Sequence, residues 1–511
     1  MARQRPPTFS QDLQDVLGGP LIHQLATDLS ALFPRRRRHP IGMHLGYLAL
    51  QRAIGSGNRL DAELAATGVW QRAVAAFNHG ATLHGDGRTI GAHLPPLTAN
   101  TFRHARNHLT TDEHLTVLLA ALSNRSVALA IDVGLLDSKG GSLTHPAPTR
   151  TLYGDGTIVR PLYRPDTPGR TDPDIAEHYR HDGPHWGNNF VLAYCRGPAH
   201  HQRIILGAAR VDQPGREADT AVELFRSIVQ RAGGRVQAIA YDGAFRGVHH
   251  NTLMRELGVV VITKVHAAAR RDNQKLVRTI PLDTRHHTVD GHRCSHTLVI
   301  NDGAIREAII DAAGELRQSE PLARKQVRRN RSQRNGYRFT LGVTVACQRE
   351  PFTAWVSIHP HADQLRLIPE CDPDFAKLYG LRNDAESNNH SYKSTLPGRR
   401  AAALGWQRQL LDAAGWAILI NARAHARYGT SQPPPAQEPV SAGALEQLLG
   451  PVTIEPTTVV SSPPAVHFGA SRLMRLVTRR LDALVRRRAQ VAKAVAMVRT
   501  DRGEQRFTSS S

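Results

Sequence analysis

Arg150-Thr-Leu-Tyr-Gly154-Asp155-Gly156-Thr157-Ile-Val159 is the stretch on which the fold turns. Its β-branched and aromatic residues predict a strand, interrupted at Gly154-Asp155-Gly156 by turn chemistry. Outward from it the texture stays sheet-like. Thr167 to Gly183 is rich in Pro, Gly and charge and predicts a loop. Asn189–Cys195 and Arg203–Val211 predict two more strands, joined across Gly197-Pro198. Ala218–Ala232 carries Ala221, Leu224, Phe225, Ile228 and Val229 at helical spacing and ends at Gly233-Gly234. Val236-Gln-Ala-Ile-Ala-Tyr241-Asp242 is a strand closing on an aspartate, followed by a short helix over Asn251–Leu257. Val259–Lys264 is continuously apolar, as a buried parallel strand requires. Three strands, helix, strand, helix, strand describes an α/β fold: an antiparallel meander, then parallel strands with helical crossovers.

A second stretch carries the chemistry: Tyr379-Gly-Leu-Arg382-Asn-Asp-Ala-Glu386-Ser-Asn-Asn389-His-Ser-Tyr-Lys393. Read as one helix, Tyr379, Arg382, Glu386 and Lys393 are separated by three, four and seven positions and share a face. A core-facing stripe would be apolar there. Two cations and a phenol suit phosphate oxygens, and a carboxylate among them suits a metal ion. A solvated charged helix with an Arg–Glu pair four apart accounts for the same residues and stays open at this point.

The spacing Tyr, two residues, Arg, three residues, Glu, six residues, Lys resembles the signature around the catalytic glutamate of one large group of insertion-sequence DDE transposases, cut-and-paste enzymes with an RNase-H-like core. The strand and helix order of residues 149–264 is similar to that core. The resemblance covers roughly residues 149 to 428. It implies an RNase-H-like mixed-sheet catalytic core with Asp155 and Asp242 on neighbouring strands. A third metal-binding carboxylate, Glu386, would lie on a helix packed across the strand ends. It implies that Tyr379, Arg382 and Lys393 contact phosphates near the transposon end, with Asn389, one turn beyond Glu386, assisting. A β-rich insertion before the glutamate helix belongs to the same group, and residues 266–366 read that way, with strand-like runs at His296–Ile300, Tyr337–Cys347 and Phe352–Ile358. One departure stands out: Gly243-Ala244-Phe245-Arg246 follows Asp242, where well-known members have Arg and acidic residues. What the resemblance implies for Asp242 is therefore the metal ligand alone, without a base-flipping role for that turn.

Phosphodiester cleavage and strand transfer need an activated oxygen nucleophile and a stabilised leaving oxygen. Divalent ions supply both, and hard Mg²⁺, with Mn²⁺ as substitute, takes carboxylate oxygens. Asp155, Asp242 and Glu386 are the expected catalytic and metal-binding triad. Asp132 at the end of Ala-Leu-Ala-Ile-Asp and Asp182 in His-Asp-Gly-Pro compete with Asp155, and Asp384 competes with Glu386.

The rest of the chain frames this core. Residues 1–145 read as a helical N-terminal domain, a candidate DNA-end-binding region, with helices over Leu21–Leu32, Met43–Ile54, Leu60–Phe77, Ala99–His108 and Thr111–Leu122. The cluster Arg35-Arg36-Arg37-Arg38 lies between the first two. Gly405–Tyr428 reads as a long helix completing the core (146–265 and 367–430), residues 431–470 as linker, and residues 471–511 as a basic amphipathic C-terminal helix.

The net charge of +21 over 511 residues argues for a polyanionic partner, double-stranded DNA at transposon ends and target under this reading. Two ends must be joined, so a homodimer on DNA is expected. Cys195, Cys294, Cys347 and Cys371 are far apart, which argues against a disulfide framework or zinc site and for a reducing cytosol. No apolar run approaches transmembrane length and no signal-peptide core follows Met1, so no membrane is expected; a bacterial cytoplasmic, nucleoid-associated protein fits. Two alternatives stay open: a catalytically inactive transposase-derived DNA-binding protein, and an RNase-H-like nuclease without strand transfer.

Overall fold

The computed structural model describes residues 7–33, 38–85, 87–163, 167, 170, 172–180, 183–199, 201–265 and 279–431. Among them seven helices precede the first strand: α1 (Phe9–Leu17), α2 (Pro20–Asp28), α3 (Ile41–Ile54), α4 (Gly57–Ala65), α5 (Val69–His84), α6 (Ala99–Leu109) and α7 (Asp112–Asp132). Local chemistry sets several starts. Thr8 and Gln11 form a reciprocal capping box on α1, and Thr98 and Thr111 cap α6 and α7. The helix expected over Leu60–Phe77 is two helices, because Gly68 adopts φ 75 between them. The helix expected to run to Leu32 stops at Asp28, with a 3₁₀ turn at Ser30–Leu32. α7 runs on to Asp132, so that aspartate ends a helix and is exposed. α7 is long and apolar enough to cross a membrane by length and composition, and 50% of its apolar window is buried inside the fold.

The sheet follows. β1 (Thr151–Val159) is continuous, contrary to the expected interruption. Its glycines are strand residues because other groups come close. A Cβ at Gly154 would press on Phe225 and the Leu192 carbonyl, and one at Gly156 would overlap the Glu217 carboxylate. β2 (Ala176–Arg180) occupies part of the expected loop and pairs with the first residues of β3 (Gly183–Arg196). β4 (Arg203–Arg210) pairs with the latter half of β3. After α8 (Glu217–Arg231) come β5 (Ala238–Ala240), α9 (Gly247–Leu257) and β6 (Val260–Ile262). The order across the sheet is β4-β3-β1-β5-β6. β3 is antiparallel to β1 and β4, whereas β5 is parallel to β1 and β6. Phe225 and Ile228 of α8 are fully buried, and that helix packs on β1, β3 and β4.

Two further antiparallel sheets precede the site helices. One has the order β10-β9-β8-β7: β7 (Ile280–Val289), β8 (His292–Asn301), β9 (Ala304–Ile310) and β10 (Leu316–Gln318). The other has the order β11-β12-β13: β11 (Arg324–Ser332), β12 (Gly336–Val345) and β13 (Phe352–Ser357). The chain then forms α10 (Pro373–Arg382), α11 (Asp384–Ser394) and α12 (Trp406–Ser431). α12 buries Leu411, Trp416 and Ile418 and packs against α3 and β4. The described residues belong to one compact unit and share one core cluster. The architecture is mixed α/β with mixed sheets. Arg35–Arg37, Asp182, the start of the expected insertion (266–278), and the linker and basic C-terminal helix beyond Ser431 lie outside the described residues.

Candidate functional site

The expected single helix from Tyr379 to Lys393 is broken. α10 ends at Arg382, Asn383 (φ −59, ψ −20) stands between, and α11 begins at Asp384. The break is tight: Asn383 N–H donates to Gly380 and Glu386 N–H to Asn383, both three residues back. Tyr379 and Arg382 therefore lie on one helix, and Glu386, Asn389 and Lys393 on the next. The junction is anchored from below. The buried Tyr194 hydroxyl donates toward the carbonyls of Leu381 (3.2 Å) and Arg382 (3.1 Å). The buried Tyr392 hydroxyl donates to Gln409 of α12 (3.1 Å). Arg324 of β11, 5% exposed, ties down the start of α10 through Asp372 (2.8 and 3.0 Å) and Asp374 (2.7 Å).

A cleft of ≈ 1250 Å³ opens beside this helix pair, lined by Asp155, Asp242, Glu386, Arg382, Asn389 and Lys393. Six of the seven residues singled out from the sequence thus meet in one cavity. Tyr379 does not line it: its ring stacks on Phe375 at 4.7 Å, with the Lys264 ammonium 5.9 Å from the ring centre. Burial, only partly offset by Arg382, raises the pKa of its phenol.

Asp155 projects from the middle of β1. Its Oδ1 accepts from the Arg382 guanidinium at 2.6 Å, and its Oδ2 from Asn389 Nδ2 at 2.9 Å. Burial pushes its carboxyl up to about 6; Arg382 opposes that, and Asp242 and Glu217 add to it. Burial works against the Arg382 charge, and Asp155, Tyr379 and Asp242 outweigh it, holding that group above its ordinary range. Asp242 lies two residues past β5, next to β1. Its Oδ1 accepts from Ala244 N–H at 2.9 Å, and its carbonyl from the Thr263 hydroxyl at 2.8 Å. In the departing turn, Phe245 is fully buried and stacks on Tyr241 at 4.5 Å, while Arg246 is exposed on the cleft. Glu386, in the first turn of α11, is exposed and lines the same cleft.

Glu217 went unread in the sequence. It is the first residue of α8 and lines the cleft. Its Oε2 accepts from Asn189 Nδ2 at 2.9 Å and its Oε1 from the Tyr241 hydroxyl at 3.0 Å. Burial, then the charge of Glu217, raises the Tyr241 phenol well above its ordinary pKa, which keeps it a donor. The available signal was Gly156, whose missing side chain leaves the space Glu217 occupies.

Two of the three rivals, Asp384 and Asp132, lie away from the cleft. Asp384 is ion-paired to Arg196 and to Arg203 (3.3 Å) and does not line the cleft. Asp132 does not line it either. Lys393 also borders a smaller cavity with Arg160, His185, Arg399 and Arg400, so cationic groups continue from the cleft. Among the described residues, no three His, Cys, Asp or Glu side chains are drawn in tightly enough to form a metal-ligand set. No protein-family model and no curated protein sequence matches the chain.

Proposed function

We propose that the chain is a metal-dependent DDE transposase with an RNase-H-like core, cutting DNA at transposon ends and joining them to target DNA. The observation that carries this is one cleft lined by Asp155, Asp242 and Glu386 together with Arg382, Asn389 and Lys393. The sheet order supports the fold assignment. Three antiparallel strands, β1, β3 and β4, are followed by β5 and β6 parallel to β1. Asp155 then lies on β1 and Asp242 just past the end of the neighbouring β5, with α11 packed on β1.

The donor chemistry fits Mg²⁺. Carboxylate oxygens of Asp155, Asp242 and Glu386 would hold it, with the Glu217 charge nearby. A bound ion would lower the pKa of water and offset charge on the leaving oxygen. The chain's own groups do the positioning. Arg382 and Asn389 hold both Asp155 oxygens. The Asn389 Oδ1 and Arg382 Nε are buried without a partner, so this arrangement leaves polar capacity unused. A phosphate entering the cleft offers Arg382 an alternative anion and releases Asp155. Lys393 and the cations beyond it extend the phosphate track. Double-stranded DNA as partner, a homodimer on it and a cytoplasmic location follow from this reading.

The test is Mg²⁺-dependent cleavage of labelled DNA bearing the element's own ends, with wild type beside Glu386→Gln and Glu217→Gln. End cleavage lost in Glu386→Gln and retained in part by Glu217→Gln supports the triad. Cleavage unaffected by Glu386→Gln removes that residue from it. Tight end binding without cleavage in the wild type gives the role to an inactive DNA-binding descendant, a reading the Asp155–Arg382 ion pair favours. Cleavage without joined products gives it to a nuclease of the same fold.

A further inference from the structure

Cys294, on β8, and Cys347, in the turn between β12 and β13, are free thiols, and the strand register brings them near one another. On the β7–β8 ladder His287 stands directly opposite Cys294. His296 lies two residues beyond Cys294 on β8. These three side chains therefore share one face. Phe352, the first residue of β13, lies on that face, its ring 4.6 Å from His287 and 5.2 Å from His296. Across the β12–β13 hairpin Phe352 pairs with Val345, and Cys347 sits in the turn just after Val345. The turn carries the Cys347 thiol to His287, His296 and Cys294, with which it interacts.

A second observation points to a missing partner. The His296 side chain is only 10% exposed, and its Nδ1 meets Glu307 Oε1 at 2.7 Å. Its buried Nε2 makes no well-formed hydrogen bond, nor does the buried Nδ1 of His287, and the side chain both rings meet is the Cys347 thiol. An imidazole held by a carboxylate at one nitrogen and open at the other is the usual orientation of a metal-ligating histidine. The Cys347 thiol faces the Arg349 and Glu350 backbone N–H groups and the His287 and His296 rings.

We infer that His287, Cys294, His296 and Cys347 form a tetrahedral Zn²⁺ site that staples the β12–β13 hairpin to the four-stranded sheet. Two thiolates and two imidazoles with no carboxylate suit zinc rather than magnesium. Zn–S of about 2.3 Å and Zn–N of about 2.0 Å leave tetrahedral donors about 3.5 Å apart, the spacing of a thiol beside an imidazole. The four side chains are not closed into a ligand set; the register brings their backbones together, and the ion would draw the side chains in. Binding releases the protons of the two thiols. The expectation against a zinc site was read from sequence spacing, which does not register neighbours across strands. Glu307 acts as a positioning residue for His296.

The test uses the full chain, purified under reducing conditions, supplied with ZnCl₂ and dialysed against metal-free buffer. Elemental analysis should find about one zinc per chain. Cys294 and Cys347 should resist a thiol reagent until a chelator is added. Cys347→Ser and His296→Ala should lose the zinc, and Cys371→Ser, at an exposed cysteine, should keep it. Should those variants not fold, Co²⁺ reconstitution of the wild type should show a thiolate-to-cobalt charge-transfer band. Substoichiometric zinc, equal thiol reactivity with and without chelator, a Cys294–Cys347 disulfide that forms despite the reducing conditions, or no charge-transfer band would each overturn the inference. None of these readouts depends on DNA cleavage.

Discussion

Asp155→Asn separates the cost of burying this carboxylate from its use. The wild-type carboxyl is pushed up to about 6 in the fold, from 3.8 in the unfolded chain. A raised carboxyl pKa means that the fold prefers the protonated form. The stability this group contributes is fully present below pH 3.8 and is lost as pH rises through about 6. The whole excursion amounts to about 3 kcal/mol, of which somewhat less than half falls between pH 8 and pH 5. Asparagine does not titrate. It can still accept from Arg382, and a flipped Asn389 amide turns its unpartnered Oδ1 toward the new NH₂ group. Urea melts of both proteins across pH 5 to 8 therefore have a defined expectation. Relative to wild type, the variant should be more stable at pH 8 than at pH 5, by about 1 kcal/mol. End cleavage should be abolished at every pH, with end binding nearly intact. A stability difference that is flat with pH, or that grows in the wild type's favour toward pH 8, would refute the electrostatic account of Asp155.

Gly156→Ala places a methyl group into the Glu217 carboxylate and disturbs its bonds to Asn189 and Tyr241; a loss of about 1–3 kcal/mol is expected by thermal melt, and a neutral result would show that Glu217 is not fixed there. Glu217→Gln removes one of the negative charges that raise Asp155, so the pH midpoint of the Asp155-linked stability change should move down; an unmoved midpoint would disconnect the two groups. Asp384→Asn, which disturbs partly buried pairs with Arg196 and Arg203, should cost about 1 kcal/mol and leave end cleavage in place; loss of cleavage there would make Asp384 the functional acid. Lys393→Ala should weaken DNA binding and make its logarithmic salt dependence shallower by about one; an unchanged slope would remove Lys393 from the phosphate track.

Much of the fold was legible because periodicity and breakers are local. Helix starts at Thr98 and Thr111, the buried run at Val259–Lys264 and the stripe of Ala218–Ala232 are each set by neighbours in the chain. The two aspartates were legible for the same reason, since strand positions could be read around them. The errors fall where distant groups decide. Gly154-Asp155-Gly156 has the composition of a turn, yet it is straight strand because Phe225 and Glu217 press on it from α8. The charged stripe from Tyr379 to Lys393 has helical spacing throughout. The break at Asn383 comes with Tyr194 holding the carbonyls of Leu381 and Arg382, and Tyr379 falls away from the cleft onto Phe375.

By itself the sequence determined the helix and strand content of the core, its basic charge, and the candidate acids Asp155, Asp242 and Glu386, because these follow from residue type and short-range spacing. Only the tertiary structure decided that Glu217 joins the cleft, that Asp384 is held by Arg196 and Arg203, and that His287, Cys294 and His296 share one face beside the Cys347 turn. Those facts depend on strand register and on the packing of elements remote in the chain, and no local pattern records either.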